Sequence, residues 1–150
     1  MSKLIIILSL FLTTTIYATC ADFSGKYATN RGSTQGSTVI SNLVVTQDGC
    51  KEITLKFYPP GGHNFAKTYR LDNVERLSFD DGFTIMHEKA FINGKTLIIE
   101  GRNERRYDSH SERTITNINL DYDNNLSEYK YIYAIEGEQM GTVITGFFRL

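Results

Sequence analysis

The stretch "AFINGKTLI", residues 90–98, has the form of two short strands joined by a tight turn. Asn93-Gly94 accepts the positive φ angles that turns between antiparallel strands require, so this dipeptide is typical of β-hairpins. The residues on either side are mostly apolar on both faces. That pattern is expected where one face of a hairpin is core and the other is partly covered. We therefore predict a hairpin at this position.

Similar turn signals recur along the chain, and the segments between them suit β-strands. The signals are DG at 48–49, PPGG at 59–62, DG at 81–82 and DNN at 123–125. The intervening runs are rich in β-branched and aromatic residues, and almost no helical pattern is present. In "EITLKFY", residues 52–58, the apolar side chains of Ile53, Leu55 and Phe57 share one face.

These runs predict an all-β protein. The predicted strands are residues 22–28, 38–47, 51–58, 65–71, 74–79, 83–92, 95–102, 113–122, 127–135 and 142–150. Short turns without crossover helices favour an up-and-down order, and a sheet this long exposes its edges unless it closes on itself. We therefore expect a single antiparallel up-and-down β-barrel of about eight to ten strands.

The N-terminal segment predicts export. Lys3 is followed by the apolar run "LIIILSLFL" at 4–12, and a small residue, Ala18, lies at the expected cleavage point. A transmembrane anchor would need about 20 apolar residues, and the threonines at 13–15 end the run too early. The predicted organisation is a signal peptide at 1–18 and a β-barrel domain at 19–150, with a secreted or periplasmic location.

The charge balance argues against nucleic acid as a partner. The chain has 16 Lys and Arg against 17 Asp and Glu. Loss of residues 1–18 removes only Lys3, which leaves 15 basic residues and a net charge of −2. Nucleic-acid binders carry a basic excess on one face, so we expect no nucleic-acid partner, and no membrane-spanning segment after cleavage.

Two cysteines, Cys20 and Cys50, remain after cleavage. An even number of cysteines in an exported chain favours a disulfide, and we predict a Cys20–Cys50 bond. The alternative is a lipid anchor on Cys20. Tyr17 and Thr19 fit a lipoprotein signal badly, and lipidation would leave Cys50 unexplained.

The segment "FSGKY", residues 23–27, resembles the first strand of lipocalins and fatty-acid-binding proteins, which together with avidins form the calycin group of closed meander barrels. Their Gly-x-Trp motif is matched here by Gly25 and Tyr27, after Phe23, and their closing Arg by Arg149 in "GFFRL". The resemblance implies that Arg149 packs across Tyr27 and seals the barrel, a contact of about 0.5–2 kcal/mol. The chain has no Trp, so the biotin site of avidins is not expected.

No catalytic or metal-binding pattern is evident. The histidines His63, His87 and His110 are far apart in sequence, whereas a zinc site needs three or four convergent ligands. If Asn93-Gly94 forms the centre of its turn, His87 faces Glu100, as either an acid–base pair or an ordinary cross-strand ion pair. We predict no catalytic residues, no metal site and no cofactor, and we do not expect an enzyme.

Three tyrosines, Tyr129, Tyr131 and Tyr133, alternate along one predicted strand. Glu128 and Lys130 lie on the other face, and unpaired charges are costly to bury. We therefore predict that the tyrosines point inward and bind a ligand in the barrel.

The leading functional hypothesis is a lipocalin-like module that binds a small, largely apolar ligand, since a barrel of about eight strands can hold one such ligand. The alternative is a periplasmic barrel that binds a protein, such as a lysozyme or protease inhibitor, through the loop at 59–63. A small enzyme is the third hypothesis.

Overall fold

The computed structural model describes residues 20–32, 38–107, 111–134 and 137–150, and ten strands make up its secondary structure. The strands are β1 (Gly25–Gly32), β2 (Thr38–Asp48), β3 (Glu52–Tyr58), β4 (Phe65–Arg70), β5 (Arg76–Asp80), β6 (Thr84–Asn93), β7 (Thr96–Arg105), β8 (Ser111–Leu120), β9 (Leu126–Ala134) and β10 (Gln139–Arg149). The predicted signal peptide at 1–18, the start of the mature chain at Thr19 and the histidine His110 lie outside the described residues.

All ten strands form one antiparallel sheet in the order β4-β3-β2-β1-β10-β9-β8-β7-β6-β5. Each strand pairs with the next strand in sequence, except that β4 does not pair with β5. The exception that closes the meander is β1, which pairs with both β2 and β10, so that Tyr27 faces Arg149 and Ala28 faces Phe148. The predicted fold class, an all-β up-and-down barrel, is confirmed.

The hairpin at 90–98 is present, but its register differs from the prediction. Asn93 pairs with Thr96, so Gly94 and Lys95 form the turn, with Gly94 at φ 59°. A turn with glycine first requires a positive φ only at that residue, and it moves every partner by two positions. His87 therefore faces Arg102 and not Glu100, and the predicted His87–Glu100 pair is wrong.

The two ends of the sheet meet at a seam without a strand ladder between β4 and β5. At this seam β4 lies beside β6, and the ammonium of Lys67 on β4 forms an ion pair with Glu88 on β6. The loop after β4 adds a backbone hydrogen bond, from the Asn73 N–H to the Ala90 carbonyl at 3.0 Å. The barrel is thus closed by hydrogen-bonded strands at β1–β10 and by side-chain and loop contacts at the seam.

One half of the barrel interior, which we call the closed half, is filled by apolar side chains. The buried residues that form this core include Phe23, Tyr27, Leu43, Val45, Ile53, Leu97, Leu120, Leu126 and Phe147. The disulfide between Cys20 and Cys50 lies at the same end, with 5.4 Å between the two Cα atoms, and this confirms the predicted pairing. It ties the segment before β1 to the turn after β2.

The residues of "FSGKY" pack tightly around Tyr27. The Tyr27 hydroxyl donates a hydrogen bond to the Phe23 carbonyl at 2.9 Å. A Cβ on Gly25 would lie 3.1 Å from the Tyr27 ring, so the ring needs a glycine there to approach the backbone. Arg149 Nη2 lies 3.3 Å from the Ser24 carbonyl oxygen and donates to it. The proximity of Arg149 to Tyr27 agrees with the predicted arrangement, and its role in sealing the barrel stays a prediction.

Candidate functional site in the barrel interior

The other half of the interior, which we call the open half, contains a cavity of about 480 Å³. Six strands contribute to it: β3, β4, β6, β7, β8 and β9. Its lining residues are Leu55, Phe57, Phe65, Lys67, Tyr69, Met86, Glu88, Ile99, Gly101, Arg102, Asn103, Glu112, Thr114, Thr116, Ile118, Glu128, Lys130 and Ile132. This volume is within the range of about 300–1,000 Å³ found for small-molecule sites.

The wall formed by β3, β4 and β6 is largely apolar. The rings of Phe57 and Phe65 are stacked with their centroids 4.8 Å apart, and Leu55 and Met86 continue the surface. Phe65 is 56% exposed although it lines the cavity, which places an accessible edge of the cavity beside β4. An apolar group of a ligand would find its contacts on this wall.

The opposite wall, formed by β8 and β9, is polar. Thr116 lies across the ladder from Lys130, and both side chains line the cavity. Lys130 makes no ion pair with any of the described residues. Asn103 Oδ1, on the neighbouring strand β7, is buried without a hydrogen-bond partner in the described part of the chain. Buried polar groups are normally satisfied, so this wall can bind a polar group of a ligand at little additional desolvation cost.

Tyr69, on β4, also lines the cavity. Burial raises the pKa of its hydroxyl, and the carboxylates of Glu88 and Glu128 raise this pKa further. The ammonium of Lys67 lies 5.5 Å from the centroid of the Tyr69 ring while it pairs with Glu88. The hydroxyl therefore stays protonated far into the alkaline range and can act as a hydrogen-bond donor inside the cavity.

The raised pKa of Tyr69 predicts alkaline destabilisation. Above about pH 10 the tyrosines of an unfolded chain lose their protons, whereas folded Tyr69 keeps its proton, so the free energy of unfolding should fall as the pH rises. Urea unfolding between about pH 8 and 11 should show this loss, and Tyr69→Phe should reduce its slope. The control is Tyr122→Phe at an exposed tyrosine. An equal slope in all three proteins would contradict the buried hydroxyl.

The orientation predicted for the tyrosines of β9 is wrong. Glu128, Lys130 and Ile132 line the cavity, so Tyr129, Tyr131 and Tyr133, which alternate with them, lie on the outer face of the sheet. The reason is Leu126, whose side chain is buried in the closed half opposite Phe147. Because side chains alternate with a period of two, an inward Leu126 forces the two charges inward as well. Ligand contact by the tyrosines stays a prediction.

The cavity residues themselves were not predicted. Leu126 immediately precedes the run that predicted β9, and taking it as the inward anchor would have placed Glu128 and Lys130 inside. The cost of burying these charges is lowered by the polar groups that surround them, including the Tyr69 hydroxyl and the Thr116 side chain. No comparable sequence signal exists for Asn103 or for the Lys67–Glu88 pair, because both depend on how the sheet curls.

The other candidate side chains among the described residues, His63 and His87, do not line the cavity. His63 is exposed in the turn before β4, and His87 is half-buried and pairs with Arg102 across the β6–β7 ladder. Within the described ranges, no group of three or more metal-ligating side chains converges. The described part of the chain also contains no helix that could span a membrane.

Comparison with known proteins supports the fold. No protein-family model and no curated protein sequence matches this chain. Among solved structures, it is similar to secretory abundant heat soluble protein 4 from Ramazzottius varieornatus, with a TM-score of 0.56, 12% identity, and 85% of this chain and 94% of that chain covered. A variant of the fluorescent protein UnaG gives a TM-score of 0.54 and 13% identity, with coverage of 85% and 96%. At this identity the likeness concerns the fold alone, and it agrees with the antiparallel barrel described above.

Proposed function

We propose that this protein is an exported binding protein that holds one small molecule in the open half of its barrel. The observation that carries the proposal is the division of the interior. The closed half is filled by core side chains, whereas the open half has a cavity of about 480 Å³. The disulfide supports export, because such bonds persist in oxidising compartments.

The lining chemistry favours an amphipathic ligand with a large apolar part. Its apolar part would pack against Leu55, Phe57 and Phe65. An anionic group would face Lys130, and a hydrogen-bond donor of the ligand would face Asn103 Oδ1, which has no partner among the described residues. A ligand without a polar group would leave these side chains desolvated and unpaired, which costs free energy.

Titration with anilinonaphthalene sulfonate, an apolar anion whose fluorescence rises in apolar surroundings, tests this proposal. We expect the protein to bind the probe. Lys130→Met should weaken binding about tenfold, since a hydrogen bond to a charged group contributes about 1.5–3 kcal/mol and each 1.4 kcal/mol is tenfold. Lys26→Met, at an exposed lysine on β1, is the matched control and should bind like the parent.

Two further variants locate the probe. Thr116→Phe fills part of the cavity with a larger side chain. It should abolish binding while the protein still unfolds cooperatively. Tyr131→Phe changes the outer face and should have no effect. Binding that survives Thr116→Phe would overturn the interior site, and binding lost in Tyr131→Phe would support the site predicted from the sequence. Native mass spectrometry of protein from its own host would then identify a bound natural ligand.

The alternative function, a periplasmic inhibitor of a lysozyme or protease, stays a prediction. The loop that would enter the enzyme, "PPGGH" at 59–63, is largely exposed.

A further inference from the structure

The outer surface of β9 and β10 is free of charge. The outward positions in the segments 127–133 and 142–148 are occupied by apolar, aromatic or small polar residues, while Glu128 and Lys130 point into the barrel. Ile144 is 66% exposed and Phe148 is 59% exposed. We call this surface the uncharged wall. It reverses the usual arrangement, in which charges face solvent and aromatic rings face the core.

The uncharged wall continues onto β8 and ends at a charged border. Ile115 on β8 faces Tyr131 across the ladder and extends the apolar surface. Next to it, Glu100 pairs with Arg113 at 3.0 Å and with Lys89 at 3.4 Å. An uncharged centre with a charged border is the usual arrangement of a protein–protein interface, where tyrosine is also enriched.

We propose that the uncharged wall packs face to face against the same wall of a second copy of this chain. A two-fold contact brings each surface against itself, so any charge near its centre would meet its own copy. The uncharged wall has no such charge, whereas a different protein partner would normally be selected by complementary charges. Sheets that pack in this way lie about 10 Å apart with their strands within about 30° of each other.

The size of the uncharged wall is sufficient for a weak dimer. Its segments 127–133 and 142–148 each cover about 23 Å at roughly 3.3 Å per residue, and three strands span about 14 Å. The projected area is on the order of 300 Å², and even with the relief of the side chains the accessible area stays below the roughly 800 Å² per partner found in stable complexes, so the dimer should be weak. A membrane surface is the less suitable occupant, because anionic lipids attract Lys and Arg and this wall has neither.

Sedimentation velocity over a concentration series, with the disulfide-bonded protein, tests the proposal. The parent should show a monomer–dimer equilibrium. Ile144→Lys should raise the dissociation constant at least about tenfold, because a buried central side chain contributes more than 1.4 kcal/mol. Leu77→Lys is the matched control: Leu77 is an exposed strand residue on β5, and this variant should dimerise like the parent.

A mixture of charge variants identifies the occupant. Ile144→Lys and Ile144→Asp should each be monomeric, and an equal mixture of the two should regain dimers because opposite charges then meet across the two-fold axis. Failure of the mixture to associate would overturn the two-fold arrangement. A parent that stays monomeric at all concentrations, or that instead co-floats with phosphatidylcholine vesicles, would overturn the proposal, as would an equal loss of dimers in Leu77→Lys.

Discussion

Replacement of Tyr27 by alanine is expected to lower the free energy of unfolding by about 3–5 kcal/mol, the range for deletion of a buried aromatic side chain. Tyr27 is 0% exposed and lies where β1 meets both β2 and β10. The ring is held by the Gly25 backbone on one side and by the core of the closed half, so the surrounding residues cannot easily collapse into the space that it leaves. Urea unfolding followed by circular dichroism measures this loss.

Two substitutions separate the contributions of the ring and the hydroxyl. Tyr27→Phe keeps the ring and removes the hydrogen bond to the Phe23 carbonyl, which should cost about 0.5–1.5 kcal/mol. Tyr131→Ala removes a ring from the outer face and should cost much less than Tyr27→Ala. If Tyr131→Ala is the more damaging change, the assignment of inner and outer faces is wrong.

Loss of the disulfide is expected to have the second large effect. Cys20 and Cys50 are separated by 30 residues, and closure of a loop of this length stabilises a fold by about 3–4 kcal/mol in the chain-entropy model. The double variant Cys20→Ser/Cys50→Ser should therefore unfold at a clearly lower urea concentration, with a similar dependence on urea.

Reduction of the parent provides the control for this variant. Dithiothreitol should move the parent's unfolding midpoint to that of the double variant and should leave the variant unchanged. If the variant and the oxidised parent share one midpoint, the bond adds no stability. A diacylglycerol mass on Cys20 in the exported protein would show lipidation and contradict the bond itself.

Most of the strands could be predicted from the sequence because their signals are local. Turn residues such as Gly49 and Gly94 adopt positive φ angles in the structure, and the alternation of Ile53 with Leu55 correctly marks the inner face of β3. Up-and-down order follows from short connections, and the pairing of Cys20 with Cys50 follows from their number. None of these inferences depends on contacts between distant parts of the chain.

The errors arose where a local signal allowed two solutions. The segment "NGK" is compatible with two turns, one centred on Asn93-Gly94 and one on Gly94-Lys95. The structure has the second, so the partner of His87 is Arg102 and not Glu100. On β9 the cost of burying Glu128 and Lys130 favours an outward orientation for both, whereas the buried Leu126 fixes the opposite one. The ion pair between Lys67 and Glu88 joins strands that no local pattern pairs.

The pairing of β1 with β10 has a consequence for how this protein reaches its native state. The β1–β10 ladder pairs Tyr27 with Arg149 from the two ends of the domain, whereas every other ladder joins strands that are neighbours in sequence. Closure of so long a loop is costly in entropy, and folds with such high contact order fold slowly. During synthesis, β2 to β9 can pair in succession, but one edge of β1 stays open until β10 emerges. Tyr27 is therefore enclosed on both sides only in the last step, and until then the nascent chain carries an exposed aromatic edge that other chains can join.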